Sequence, residues 1–123
     1  MVVEINRRLG ELLAGIGKVD AALPFLRRAL RFSQRLGDRL EEGAVLRNLG
    51  RVSFLIGADE RGRNLFARAI ETLRSAGCDF ELAKTHAAYA EQLLGAQDER
   101  RTARPSDGDG GDDLLRNPDA VLG

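Results

Sequence analysis

Slid forward by 40 positions, the chain matches itself. Arg7 falls on Arg47, Leu9-Gly10 on Leu49-Gly50, Ile16-Gly17 on Ile56-Gly57, Arg28-Ala29 on Arg68-Ala69, Gly37 on Gly77 and Glu41 on Glu81. These are nine identities between residues 3–42 and 43–82. Leu26 with Phe66, Leu30 with Ile70 and Leu40 with Phe80 keep their character, and Tyr89-Ala90 opens a third, partial copy. A fixed period of this length marks a repeat array, in which each copy buries its apolar stripe against the next.

Each copy reads as two helices. Ile5, Leu9, Leu12, Leu13 and Ile16 recur at three- and four-residue steps, the helical period. Gly15 and Gly17 close that helix, because glycine takes the left-handed conformation a helix end requires. Leu23, Leu26, Leu30 and Leu36, with Ala22, Ala29 and Phe32, carry a second helix to Gly37, with Pro24 near its start. Asp38-Arg39-Leu40-Glu41 has the form of a capping box. Leu40, Ala44, Leu49, Val52 and Ile56 carry the third helix, residues 65–73 the fourth and residues 80–94 the fifth. Gly10, Gly50 and Ala90 sit at one position of the first helices; Ala22 and Ala29, then Gly62 and Ala69, sit on the second. A mid-helix glycine costs about 1 kcal/mol against alanine, so its recurrence points to close helix packing.

Leu9-Gly10, Gly17, Ala22, Leu26 and Ala29, and again Asn48-Leu49-Gly50, Gly57, Phe66 and Ala69, stand in an order that resembles the tetratricopeptide repeat family. The likeness covers about residues 3–95. It departs from the family pattern at Gly62, in an alanine slot, and at His86, in a large apolar slot expected to face the core. The period of 40 is similar to that of kinesin-light-chain-type and bacterial regulator repeats. The resemblance implies an all-α, right-handed helical-hairpin solenoid of two repeats plus one extra helix. It also implies a protein–protein interaction module, part of a larger bacterial regulator, whose first helices line a concave groove. By repeat position that groove carries Arg7 and Glu11, then Arg47, Asn48, Arg51 and Phe54, then Lys84, Ala87 and Glu91. Some family members clamp a peptide's carboxylates with five basic and amide side chains. Arg7, Asn48 and Lys84 match three of those slots, while Glu11 and Ala88 break the other two. The expected ligand is an acidic peptide or partner domain, with Arg47 and Arg51 outside the core.

Charge divides the chain. Residues 1–104 carry 18 basic and 14 acidic side chains, whereas residues 105–123 carry Arg116 against Asp107, Asp109, Asp112, Asp113 and Asp119. The expected organisation is a helical repeat domain over 1–104 and an acidic, Gly/Asp-rich disordered tail over 105–123. Asp107-Gly108-Asp109-Gly110-Gly111-Asp112-Asp113 fails as a calcium loop, since the sixth position is Asp112 and the twelfth Pro118. Gly15-Ile16-Gly17-Lys18-Val19 lacks both the earlier glycine and the hydroxyl residue of a phosphate-binding loop. Cys78 is the single cysteine and His86 the single histidine, which leaves no multi-Cys zinc site and no histidine pair. No paired carboxylates stand out for acid–base work, so no enzyme, metal or cofactor is expected. The first residues lack the basic and apolar regions of a signal peptide, and no apolar run is long enough for a membrane span, which suggests a cytoplasmic protein.

Two other functions compete. With 17 Arg against 2 Lys, the second helix carries Arg27, Arg28, Arg31 and Arg35 on one face, a surface that could contact phosphates. Aromatics at 5% and no Trp argue against a nucleic-acid stacking platform, and a solvated convex face is the simpler reading. The other competitor is a structural segment that self-associates without a groove ligand. Tyr89, Leu93 and Leu94 on the fifth helix form the expected association patch, pairing two copies or joining another repeat protein.

Overall fold

Four glycines spaced 20 residues apart set the layout. Gly17, Gly37, Gly57 and Gly77 all take positive φ, between 67 and 83°. At each, the glycine N–H reaches back to the carbonyl three residues earlier and the next N–H reaches five residues back: Asp38 N to Ser33 O at 2.9 Å, Ala58 N to Ser53 O at 2.8 Å. This left-handed closure satisfies the orphan carbonyls of a helix end and turns the chain at once. The computed structural model describes residues 2–101, which form α1 (Val2–Gly15), α2 (Val19–Leu36), α3 (Arg39–Leu55), α4 (Asp59–Ser75) and α5 (Asp79–Arg101). The expected tail at 105–123 lies outside the described residues. Asp38 caps α3 as the capping box requires, accepting from Glu41 N at 3.1 Å. The Glu41 carboxylate does not return the bond but turns to another helix.

The described fold is the expected all-α hairpin array. α1 pairs with α2 and α3 with α4, while α5 lies against both α3 and α4. The first helices α1, α3 and α5 are neighbours in turn. The main core joins Leu23, Leu26 and Leu30 of α2 to Val45, Leu49 and Val52 of α3, closed by Leu65 and Ala69 of α4. A second cluster holds Phe54, Phe66, Ala88 and Ala96, with Tyr89 stacked on Phe66 at 4.8 Å between ring centroids.

Helix pairs meet backbone to backbone where glycine was repeated. A methyl group on Gly10 would lie 2.5 Å from Leu26 Cδ2. On Gly50 it would lie 2.8 Å from Phe66 Cδ2 and 3.3 Å from the Gly62 carbonyl oxygen. Gly62, the departure from the alanine slot, is occupied from the other side: its methyl would lie 2.7 Å from Phe54 Cδ2. Phe54 needs the space that an alanine there would fill.

Two expectations are corrected. Ile5, Leu9, Leu12 and Ile16 do not face the core of this chain; they are exposed, and α1 instead buries Val3, Asn6 and Gly10. The reason is that α1 touches α2 and α3 on one side only, whereas the equivalent stripe of α3 is enclosed. His86 is exposed, because the core-facing positions of α5 are Thr85 and Ala88, which share a different side of the helix. Tyr89 is half-buried, stacked on Phe66, while Leu93 and Leu94 are exposed at 37% and 62%.

Two glycine substitutions should therefore behave oppositely. Gly50→Ala overpacks a contact with a fixed backbone carbonyl and should destabilise by about 1–3 kcal/mol. Gly15→Ala, with nothing within 4 Å of the added methyl, should stabilise by about 0.5–1 kcal/mol through reduced chain entropy. Urea denaturation followed by circular dichroism compares the two.

Candidate functional site

α1, α3 and α5 enclose a groove of about 240 Å³ lined by Glu11, Ala14, Gly15, Arg47, Asn48, Arg51, Leu55, Lys84 and Ala88. Five of the expected groove residues therefore come together: Glu11, Arg47, Asn48, Arg51 and Lys84. Three do not. Phe54 is a core side chain, 8% exposed and packed over Gly62. Glu91 is exposed on α5 away from the groove lining, and Arg7 lies beside the groove, tied into an ion-pair network.

That network repeats with the sequence. Arg7 forks onto Glu41, Nε to Oε2 at 2.6 Å and Nη2 to Oε1 at 3.2 Å. Forty residues on, Arg47 donates from Nη1 to Glu81 Oε1 at 3.0 Å and to Thr85 Oγ1 at 3.2 Å. Both pairs bridge successive first helices across the same separation of 34 residues. Arg7 also donates to Glu11 Oε1 at 2.7 Å, and Asn48 Nδ2 donates to the same oxygen at 2.8 Å. Burial alone would push the Glu11 carboxyl up; the hydrogen bonds from Asn48 and Arg7, with the charges of Arg7 and Arg47, outweigh it and hold Glu11 below the usual carboxylate range. Burial likewise works against the charge on Arg7, but Glu41 and Glu11 together keep its guanidinium more firmly protonated than in water.

Little free charge is left in the groove. Arg47, expected outside the core, is 4% exposed and held by Glu81. Lys84 Nζ lies 3.6 Å from Glu81 Oε2 and 5.7 Å from the centre of the Phe80 ring. Arg51 differs: it is exposed and makes no hydrogen bond or ion pair among the described residues. Glu41, Glu81 and Thr85 are the partners that sequence reasoning did not assign. The signal was present in the pairing of two repeated identities, Arg7/Arg47 and Glu41/Glu81.

On the opposite face the α2 arginines are partly engaged. Arg27 Nε donates to Leu23 O at 3.4 Å; Arg28 donates to Asn6 Oδ1 at 3.4 Å and stands 5.7 Å from the Phe25 ring centre. Among the described residues no group of three His, Cys, Asp or Glu side chains is placed to hold a metal ion, and no helix is long and apolar enough to cross a membrane.

Two measurements follow from this geometry. Arg47→Ala strands Glu81 in a largely buried position and should cost about 3 kcal/mol, whereas Arg51→Ala should stay within about 0.5 kcal/mol; thermal melts separate them. The Glu11 carboxyl titrates lower folded than unfolded. Its stabilisation is thus present above the unfolded value, near pH ~4.3, and lost as pH falls through the folded one. Stability measured by urea titration should drop over that acid window, and Glu11→Gln should flatten this part of the drop.

In comparison with known proteins, a family model described as tetratricopeptide repeat matches residues 2–75. No curated protein and no solved structure matches the chain.

Proposed function

Because the chain belongs to the tetratricopeptide repeat family, whose repeats mediate protein–protein interactions, we propose that it is a non-catalytic binding module whose groove takes an acidic segment of a partner protein. The observation that carries this reading is Arg51, the exposed guanidinium on the groove wall that no side chain of the described residues neutralises. Arg7 and Arg47 are committed to Glu41 and Glu81, so they shape the groove without offering a free charge. Lys84, half-exposed and only loosely paired with Glu81, adds a second cation that an incoming carboxylate can recruit. Ala14, Gly15, Leu55 and Ala88 leave apolar and small surface between these charges. A peptide can lay backbone and small side chains there. Each exposed charge contributes modestly in water, so the expected recognition is transient and salt-sensitive, suited to a regulator that exchanges partners.

A library of displayed short peptides, selected on the full chain, tests the reading. Enriched sequences should carry clustered Asp or Glu, and a synthetic peptide of the consensus should lose at least tenfold in affinity on Arg51→Glu, Lys84→Glu, with the melting temperature retained. Selection without acidic enrichment, or binding indifferent to that double variant, would sink the proposal. Sensitivity to Arg31 and Arg35 replacements in its place would move the working surface to the convex face.

A further inference from the structure

Beyond the groove lies a second, smaller cavity of about 120 Å³, lined by Leu55 and Asp59 and, from α5, by Gln92, Gly95, Ala96 and Glu99. Leu55, 59% exposed, lines both. The α5 residues form one series: Lys84 and Ala88 at the groove, then Gln92, Gly95 and Glu99 at the second cavity. Their spacing of three and four residues keeps them on one side of the helix. Arg51 and Leu55 face them one turn apart on α3, and the start of α4 brings Asp59 to the far end. The two cavities are successive parts of one furrow along α3 and α5.

Charge changes sign along this furrow. With Arg7 and Arg47 held by Glu41 and Glu81, the groove offers Arg51 and the loosely paired Lys84. The charged residues lining the second cavity are Asp59 and Glu99, both acidic. Asp59 is half-buried and makes no hydrogen bond or ion pair among the described residues. A carboxylate partly shielded from water attracts a cation more strongly than one in bulk solvent.

Gly95 is the second observation that points to a ligand. Gly10, Gly43, Gly50 and Gly62 each have one of the chain's own side chains where a methyl group would sit. Gly95 has nothing within 4 Å. A mid-helix glycine costs about 1 kcal/mol against alanine, and here no internal contact requires it. It leaves open space on the floor of the furrow.

Resting on the acidic-segment reading of the groove, we propose that the whole furrow binds an extended, charge-separated segment of a partner protein. Its acidic residues meet Arg51 and Lys84, an apolar residue covers Leu55, and its basic residues meet Asp59 and Glu99. Lys84 and Glu99 stand about 22 Å apart along the helix axis, a span that about seven extended residues cover. No single side chain reaches both ends, so the ligand must carry its two charges in separate blocks.

Three heptapeptides, acetylated and amidated so that only side chains are charged, are titrated against the full chain by calorimetry. Glu-Glu-Ala-Leu-Ala-Lys-Lys separates its charges, Glu-Lys-Ala-Leu-Ala-Glu-Lys mixes them at the same composition, and Glu-Glu-Ala-Leu-Ala-Gln-Gln is acidic only. The separated peptide should bind at least about threefold tighter than either of the others, as expected of two exposed charge contacts. Asp59→Asn, Glu99→Gln should bring it level with the acid-only peptide. Gly95→Leu, which fills the second cavity without changing charge, should weaken it at a retained melting temperature. Equal affinity of the separated peptide with either of the others, or an advantage that survives both variants, overturns the proposal. The acidic-segment reading then still stands if acid-only binding falls with Arg51→Glu, Lys84→Glu. Absence of saturable binding by all three peptides overturns both.

Discussion

A helix enclosed on nearly every side cannot follow an ordinary amphipathic pattern, and α3 is such a helix. Twelve of its 17 residues are buried, from Glu41 through Gly50 almost without a break. α2 and α4 press on it from one layer, α1 and α5 from the other. Enclosure makes two demands on its residues. Where another helix approaches closely, the side chain must vanish, hence Gly43 against Leu73 and Gly50 against Phe66. Where a polar group is retained, it must be paired, hence Arg47 with Glu81 and Thr85, and Asn48 with Glu11. No buried side-chain nitrogen or oxygen among the described residues is left without a partner.

The repeated Arg–Glu bridge is best understood as a device of register. A buried ion pair gains little over well-packed apolar side chains, since desolvation cancels most of the attraction. Sliding one first helix along the next is another matter. It would strand the Arg47 guanidinium without its acceptors, at a cost of several kcal/mol. The bridges therefore penalise every offset but one. The groove inherits its shape from that restriction, because its walls are these same helices. Its free charge is what remains after the bridges have taken theirs, and so a chain with 17 arginines presents so few on this surface.

Two surfaces built on the first helices differ in kind. The groove sets charged side chains, Glu11, Arg51 and Lys84, among small and apolar ones. The α1 face is a row of aliphatic side chains whose equivalents elsewhere in the chain are core residues.

Much of the fold was legible in the sequence. The 40-residue period, the turn glycines and the helical spacing of Leu23, Leu26 and Leu30 are local or periodic signals, and periodicity alone names the repeat and its hairpins. The glycines at 10 and 50 announced close packing because a mid-helix glycine is costly without it. Which side of a helix meets a neighbour is not a local property. Leu9 and Leu49 hold the same place in successive repeats, yet one is exposed and the other buried, because Leu49 is enclosed by Leu23, Leu26 and Leu30 of α2 whereas no described helix covers Leu9. Likewise Arg47 and Arg51 are both arginines one turn apart on α3. Only the position of α5 decided that Arg47 would be sealed against Glu81 while Arg51 faces solvent. Sequence determined the units and their spacing; the neighbours of each face, set by long-range packing, determined which charges were consumed and which stayed free.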